Sequence, residues 1–243
     1  MKIRIFSTAD ELARATATLM AVRAARAIVE RGQANLALAG GSTPLPIYHA
    51  LATEPLRGIM PWQACHFFWS DERQVPFDHL DSNYGQAQRT WLGQVLQKPG
   101  QIHPIPVDLY EPEEAAARYQ AELRTHYGGL LPAFDLILLG LGPDGHLASL
   151  FPQDPALAEN RAWAAAVTPP PGVEPPMPRV TLTLPVLNAG RTVVVAVTGA
   201  GKRQAVKQAL AEREAGPGGA VAKRLLPYGE LFWFLDQEAA ADL

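Results

Sequence analysis

Residues 134–152, FDLILLGLGPDGHLASLFP, constrain the fold more than any other stretch of the chain. Residues 134–141 are an almost unbroken apolar run of strand length. That pattern belongs to a strand buried on both faces of a mostly parallel sheet, and it predicts a central strand. The run stops on Gly140, Gly142, Pro143 and Gly145, so the backbone must turn sharply and carry Asp144 and His146 with it. In open α/β sheets ligands gather at the carboxyl ends of strands, which puts His146 where chemistry is usually done.

Residues 140–145 also match G-x-G-x-x-G. That fingerprint needs a helix opening at the turn and an acid closing the next strand. Glu159 has about the right spacing, but it follows FPQDPALA, whose prolines argue against a strand. The match is therefore read as turn chemistry.

In chain order, residues 2–6 read as a short strand, and Thr8 with Glu11 has capping-box spacing ahead of an Ala-rich helix that closes near Gly32. Residues 35–39 form a second apolar strand, followed at once by Gly40, Gly41, Ser42, Thr43 and Pro44 and then a helix over LPIYHAL. Glycines let backbone N–H groups converge, two hydroxyls add donors and a proline opens the helix, so this corner suits a phosphate as well as an ordinary strand-to-helix turn. A nucleophile elbow around Ser42 fails because Pro44 occupies its last Gly position. A Walker loop at Gly201-Lys202 fails because no Gly lies five residues before that pair and Arg203 follows it.

A third strand over residues 65–70 ends in Asp71, Glu72 and Arg73. Two acids and an arginine there could orient a sugar and grip an anion, or simply pair with one another in a solvated loop. Asp81, Ser82 and Asn83 read as a cap for a helix over residues 84–96, residues 102–106 as a short strand, and residues 111–127 as an amphipathic helix closed by Gly128. Strand alternating with helix implies right-handed crossovers and a parallel sheet. Residues 169–178, PPPGVEPPMP, read as a surface loop rather than a lid. Arg179 starts a segment of strand alternation, residues 191–198 form another apolar strand, and the turn 199–203 brings Lys202 to the start of a helix over residues 204–214. A cation at that position is unfavourable unless an anion lies between it and the helix. Residues 231–235 look like a closing strand, with Trp233 packed inside.

The whole chain, 243 residues with a formal net charge of -3 and no basic run, lacks the footprint of a nucleic-acid binder. No apolar segment approaches the roughly 20 residues of a membrane span, and MKIRIFSTADE lacks a signal-peptide core, so a cytoplasmic protein is expected. The lone Cys65 sits in the strand-like CHFFW and reads as a buried thiol. Among six histidines, His49 and His126 fall on helices, His66 in a strand, and His79 and His103 in connecting segments. Only His146 follows a strand-end turn of this kind. Together with Arg73, Lys202 and the Gly-rich corners it makes a sugar-phosphate inventory with one group able to titrate near neutrality. The spacing shows no H-E-x-x-H, Cys cluster or repeated His pattern, so no metal is expected.

With these residues the chain resembles the 6-phosphogluconolactonases along nearly its full length. The motifs LALAGGSTP, WSDERQVP with DSNYG, LLGLGPDGHLASLFP, RVTLTLPVLN and VTGAGKR follow in order. The resemblance implies an α/β fold of the sugar-phosphate isomerase and deaminase type, a modified Rossmann-like, mostly parallel sheet flanked by helices, as one domain over residues 1–243. It also implies hydrolysis of 6-phospho-D-glucono-1,5-lactone in the oxidative pentose phosphate pathway. Neither cofactor nor metal is implied, the partner is the small sugar-phosphate lactone, and the chain is expected to be a monomer or small homo-oligomer.

His146 is then expected to act as general base on water, oriented by Asp144 or Asp71. The resemblance places the substrate against Gly41, Ser42, Thr43 and Asn83, with Arg73, Arg179 and Lys202 supplying positive charge. The related glucosamine-6-phosphate deaminases typically continue from Asp-Gly-His with Ala-Phe-Asn-Glu-Pro. Here residues 148–152 read ASLFP, and the missing acid favours the lactonase. A silent sugar-phosphate sensor would usually carry a DNA-binding domain, for which this chain has neither spare length nor a basic helix-turn-helix segment.

Overall fold

A computed structural model describes residues 1–95, 98, 100–211 and 220–243. Its strands are β1 (Lys2–Phe6), β2 (Ala34–Leu38), β3 (Cys65–Trp69), β4 (Asp71–Arg73), β5 (Ile102–His103), β6 (Leu136–Leu139), β7 (Ala164–Val167), β8 (Arg179–Leu182), β9 (Thr192–Val197) and β10 (Glu230–Asp236). Its helices are α1 (Ala9–Arg31), α2 (Pro44–Ala52), α3 (Leu56–Ile59), α4 (Asn83–Thr90), α5 (Pro112–His126), α6 (Leu184–Asn188) and α7 (Arg203–Leu210).

Seven strands pair in parallel in the order β1-β10-β9-β6-β2-β3-β5. The expected central strand is β6, flanked by β2 and β9 and buried at all four positions. Burial on both faces explains why its sequence is continuously rather than alternately apolar. β10, last in the chain, lies inside the sheet between β9 and β1, and Trp233 is packed there at 1% exposure. The capping expectation for α1 holds: Thr8 Oγ1 accepts from the Glu11 N–H at 3.1 Å, and Glu11 reaches back to the Ser7 N–H. No described helix is long and apolar enough to cross a membrane.

The structure departs from the sequence expectation at residues 71–76. Asp71–Arg73 is not a loop but strand β4 of a second, antiparallel sheet in the order β4-β8-β7. The chain passes directly from one sheet to the other, because the Ser70 N–H donates to the Leu38 carbonyl of the large sheet while its own carbonyl accepts from Leu182 of the small one. Burial of Asp71 and Glu72 follows from this layer, which polar sequence could not announce. The helix expected over residues 84–96 stops at Thr90, where Trp91 leaves helical geometry at φ -155°; Leu96 and the expected end of the last helix at Glu214 lie outside the described residues.

Two tyrosines lock the strand ends that lead toward the carboxyl edge. Tyr48 of α2 accepts from the Ala39 N–H (3.1 Å) and donates to the Ala39 carbonyl (2.6 Å), just past β2. Tyr119 of α5 does the same for Trp69, the last residue of β3, at 3.0 and 2.9 Å. Both rings are buried, so each hydroxyl satisfies a backbone donor and acceptor that no water reaches. Cys65 is buried as expected, and desolvation pushes its thiol up to about 12.

His103, which falls within the short strand expected over residues 102–106 as well as among the connecting segments of the sequence reading, lies in edge strand β5. It gathers with His66 of β3 and His126 of α5 into one cluster. Burial, then the neighbouring imidazoles, push His126 down to about 4. His66 is lowered for the same two reasons.

Replacing Tyr119 by Phe removes a hydroxyl but no volume, and it leaves the Trp69 N–H and carbonyl unpaired. Unfolding by urea should show a loss of about 1–3 kcal/mol for Tyr119→Phe, the usual cost of stranding buried polar groups.

Candidate active site

The carboxyl ends of β2, β3, β6 and β9 converge on a cleft of about 210 Å³. Gly41, Ser42 and Thr43 enter it from the β2–α2 loop, Asp71, Arg73 and Asn83 from β4 and α4, His146 from the β6 turn, Arg179 from β8 and Lys202 from the β9–α7 turn. Asp144, the one predicted site residue that does not line the cleft, stands behind His146. A larger cleft of about 380 Å³ opens at the amino ends of β9 and β10. There Arg23, Arg26, Arg31 and Arg191 each face a carboxylate of Glu30, Asp135 or Glu230.

The His146 ring is fixed by a hydrogen bond between its Nδ1 and Asp144 Oδ1 at 2.5 Å, and its backbone N–H donates to the same oxygen at 3.3 Å. Of the two acids expected as orienters, Asp144 has the contact. Burial raises the Asp144 carboxyl, but the hydrogen bonds and charge of His146 together outweigh it and hold the group below the ordinary carboxylate range. With Nδ1 committed to Asp144, Nε2 is the nitrogen left to exchange a proton with a ligand. The ring also leans on Phe151, centroids 4.9 Å apart, and the Arg179 guanidinium lies over that same Phe151 ring, 5.4 Å from its centroid. Phe151 occupies the fourth place of ASLFP, where the deaminase motif has its acid.

Asp71 holds a different part of the frame. It accepts from Ser149 Oγ at 2.7 Å and from Asn83 Nδ2 at 3.3 Å, tying the segment after His146 to the start of α4. Glu72 is wholly buried and accepts from the N–H groups of Arg73, Asn83 and Tyr84 at 2.7–2.8 Å and from Ser82 Oγ at 3.2 Å. Its carboxylate therefore sits at the amino end of α4, where the helix dipole favours an anion. Burial, opposed by those backbone bonds, pushes it up to about 7. Of the two acids the sequence offered for a sugar, Glu72 is thus a structural anchor that sequence reasoning did not separate from Asp71.

Three buried polar atoms at the cleft have no hydrogen-bond partner among the described residues: Arg73 Nε, Arg179 Nε and Asn83 Oδ1. Buried polar groups are almost always paired, so these three atoms are exceptions at the cleft. Arg179 is held by the Glu174 and Pro175 carbonyls at 3.3 and 3.0 Å, and Arg73 by the Asp81 carbonyl at 2.8 Å. The proline-rich loop read as surface therefore borders the cleft through Glu174. Burial lowers Lys202 from its ordinary value, with Asp144 opposing.

The β2–α2 corner differs in detail from the expected helix-end anion site. Pro44 and Pro46 lack N–H groups, so of the first turn's three residues only Leu45 offers one. The corner's other donors are the Ser42 and Thr43 hydroxyls and the loop backbone, and Thr43 is tied to Thr198, just past β9, by a 2.9 Å hydroxyl contact.

Two glycines act through space rather than torsion. A Cβ on Gly142 would stand 2.1 Å from His146 Nδ1 and 2.5 Å from Asp144 Oδ1, and one on Gly40 would stand 1.6 Å from Asn83 Oδ1. The sequence showed these glycines as turn formers; that they make room for site side chains needed the fold. Ala148, two residues past His146, has φ +50°, a left-handed conformation uncommon outside glycine and typical of constrained sites.

A parallel α/β sheet with a cationic cleft at its carboxyl ends and a carboxylate-held imidazole defines a protein that binds small anionic ligands. Residues 7–233 match the family described as glucosamine-6-phosphate isomerases/6-phosphogluconolactonase. The 6-phosphogluconolactonase of a Synechocystis species is 46% identical over 91% of this chain and 89% of its own length. The human 6-phosphogluconolactonase is 41% identical over 98% of this chain and 92% of its own. The solved structure of 6-phosphogluconolactonase from Trypanosoma brucei superposes with a TM-score of 0.86 at 30% identity, covering 100% of this chain and 98% of that one. The chain belongs to the glucosamine-6-phosphate isomerase/6-phosphogluconolactonase family.

Gly142→Ala should push the imidazole and Asp144 apart without touching the core. A displacement of about 1 Å at a reacting group can cost on the order of 10²-fold in rate, and a kcat loss of that size with an unchanged melting temperature is expected in steady-state and thermal assays.

Proposed function

We propose that this chain hydrolyses 6-phospho-D-glucono-1,5-lactone to 6-phospho-D-gluconate, the second step of the oxidative pentose phosphate pathway, with His146 as general base. The observation that carries the mechanism is the Asp144–His146 hydrogen bond at 2.5 Å beside a cleft that also holds Arg73, Arg179 and Lys202. The identity to named lactonases over nearly the whole chain supports the substrate.

Asp144 fixes the tautomer in which Nε2 keeps its lone pair. A water beside Nε2 loses a proton to it while its oxygen attacks the lactone carbonyl carbon, giving a tetrahedral intermediate. That intermediate collapses by breaking the bond to the ring oxygen, which takes the proton back from the imidazolium and leaves as a hydroxyl. General-base catalysis contributes about 10²- to 10⁴-fold, sufficient for an already activated δ-lactone without a covalent intermediate.

The substrate's phosphate rests against Gly41, Ser42 and Thr43, and Arg73, Arg179 and Lys202 balance its charge and that of the product carboxylate. Arginine's planar fork suits bidentate contact with such groups, whereas lysine acts as a point charge. Asn83 Oδ1, which lacks a protein donor among the described residues, accepts from a sugar hydroxyl.

His146→Ala should lower kcat by about 10²- to 10⁴-fold with KM nearly unchanged, measured by acid release against the spontaneous rate. Wild-type turnover in that variant would remove His146 from the role of base, and an inert wild-type enzyme would remove the function itself. Arg73→Ala should instead raise both KM and the inhibition constant of 6-phosphogluconate. If neither constant moved, Arg73 would have no part in binding.

A further inference from the structure

The His66, His103 and His126 cluster lies outside the catalytic cleft, none of the three lining it. One ligand-competent atom from each comes within 4.8 Å of the others. The rings come from three separate elements, β3, β5 and α5, so their convergence is a product of the fold rather than of a local turn. His103 Nδ1 is hydrogen-bonded to Glu122 Oε1 at 2.6 Å, and its Nε2 faces His66 Nδ1 at 2.9 Å. His126 Nε2 meets Asn35 Oδ1 at 2.9 Å and Gln33 Nε2 at 3.3 Å.

Packing accounts for part of this arrangement, since His103 stacks on Phe68 with centroids 4.2 Å apart. Packing alone does not call for three imidazoles from three elements to bring ring nitrogens within 4.8 Å of one another. Nor does it call for a carboxylate behind the central ring. A carboxylate that takes the far N–H of a histidine fixes its tautomer and directs the other nitrogen's lone pair outward, the arrangement found behind metal-bound histidines. Glu122 holds that position relative to His103.

We propose that His66, His103 and His126 form a three-imidazole site for a borderline divalent transition metal, Zn²⁺ foremost, with Glu122 as the positioning residue for His103. Zinc takes imidazole nitrogens at about 2.0–2.1 Å in tetrahedral geometry, which separates ligand atoms by about 3.4 Å. His66 and His103, 2.9 Å apart, therefore need to part by about half an ångström and the widest pair, within 4.8 Å, to close by up to about 1.4 Å, both side-chain adjustments, and the fourth position is open to water. His66 and His126 are only partly buried, which gives the ion a route in from solvent. The bound ion joins the two-residue edge strand β5 to β3 and to the last turn of α5. Its effect is on the stability of this edge and not on the hydrolytic step.

The test uses the untagged full-length chain, stripped with chelator and titrated with Zn²⁺ by calorimetry and with Co²⁺ by visible absorption. One ion per chain, the intense visible bands of four-coordinate Co²⁺, a higher melting temperature and an unchanged rate of lactone hydrolysis are expected. His66→Gln and His126→Gln, which spare the ring stacked on Phe68, should each weaken Zn²⁺ binding by at least tenfold, and Glu122→Ala by about 10- to 100-fold. The absence of Zn²⁺ uptake at micromolar concentration would overturn the site. So would equal affinity in folded His66→Gln and wild-type chains, or a Co²⁺ spectrum of the weak octahedral type, a readout that needs no variant to fold.

Discussion

Complete burial of β6 is the constraint on which the rest of the structure depends. Leu136–Leu139 is covered on both faces and paired on both edges, so no polar side chain can leave the sheet until the strand ends. The Gly-Pro turn that follows is the first place where an acid and an imidazole can emerge, and they emerge together. The same holds for β2, β3 and β9, whose ends deliver the hydroxyl-rich corner, the buried acids and the lysine to one edge of one sheet.

Convergence of loops does not by itself give a working site, and much of the structure around the cleft restricts motion. Tyr48 and Tyr119 close the last backbone groups of their strands, Glu72 anchors the first turn of α4, and Asp71 joins Ser149 to Asn83. Asp236 holds the Gly199 N–H at the head of the turn that carries Lys202. Each of these is a buried polar group satisfied by protein, which is what a low-dielectric interior requires. Arg73, Arg179 and Asn83, which line the cleft, each keep one buried polar atom without a hydrogen-bond partner among the described residues, as do several residues away from it.

The small antiparallel sheet shows how the two halves of the site are coupled. β4 and β8 pair Arg73 directly with Arg179, placing two like charges side by side on neighbouring strands. Such a pair is unfavourable alone, and Arg73 indeed depresses the proton affinity of Arg179, though burial does so more. An anionic substrate between them would relieve that repulsion, which links the sheet's register to the chemistry of the ligand.

Local chain chemistry was enough to announce much of this. The apolar run ending in Gly140, the hydroxyls of Ser42 and Thr43, and the placement of His146 and Lys202 after strands are short-range patterns, and torsional and periodic preferences are readable from neighbours in the chain. Sequence by itself therefore determined the alternating α/β order, the central strand and nine of the residues that line the cleft. Tertiary structure alone decided which acid meets His146, that Glu72 anchors α4, that residues 71–73 belong to a second sheet, and that His66, His103 and His126 gather in one cluster. The second-sheet pairing and the histidine cluster depend on register and burial between segments tens of residues apart, whereas Asp144 meets His146 across two residues and Glu72 meets Asn83 across 11, contacts set by how the chain turns and packs rather than by spacing alone.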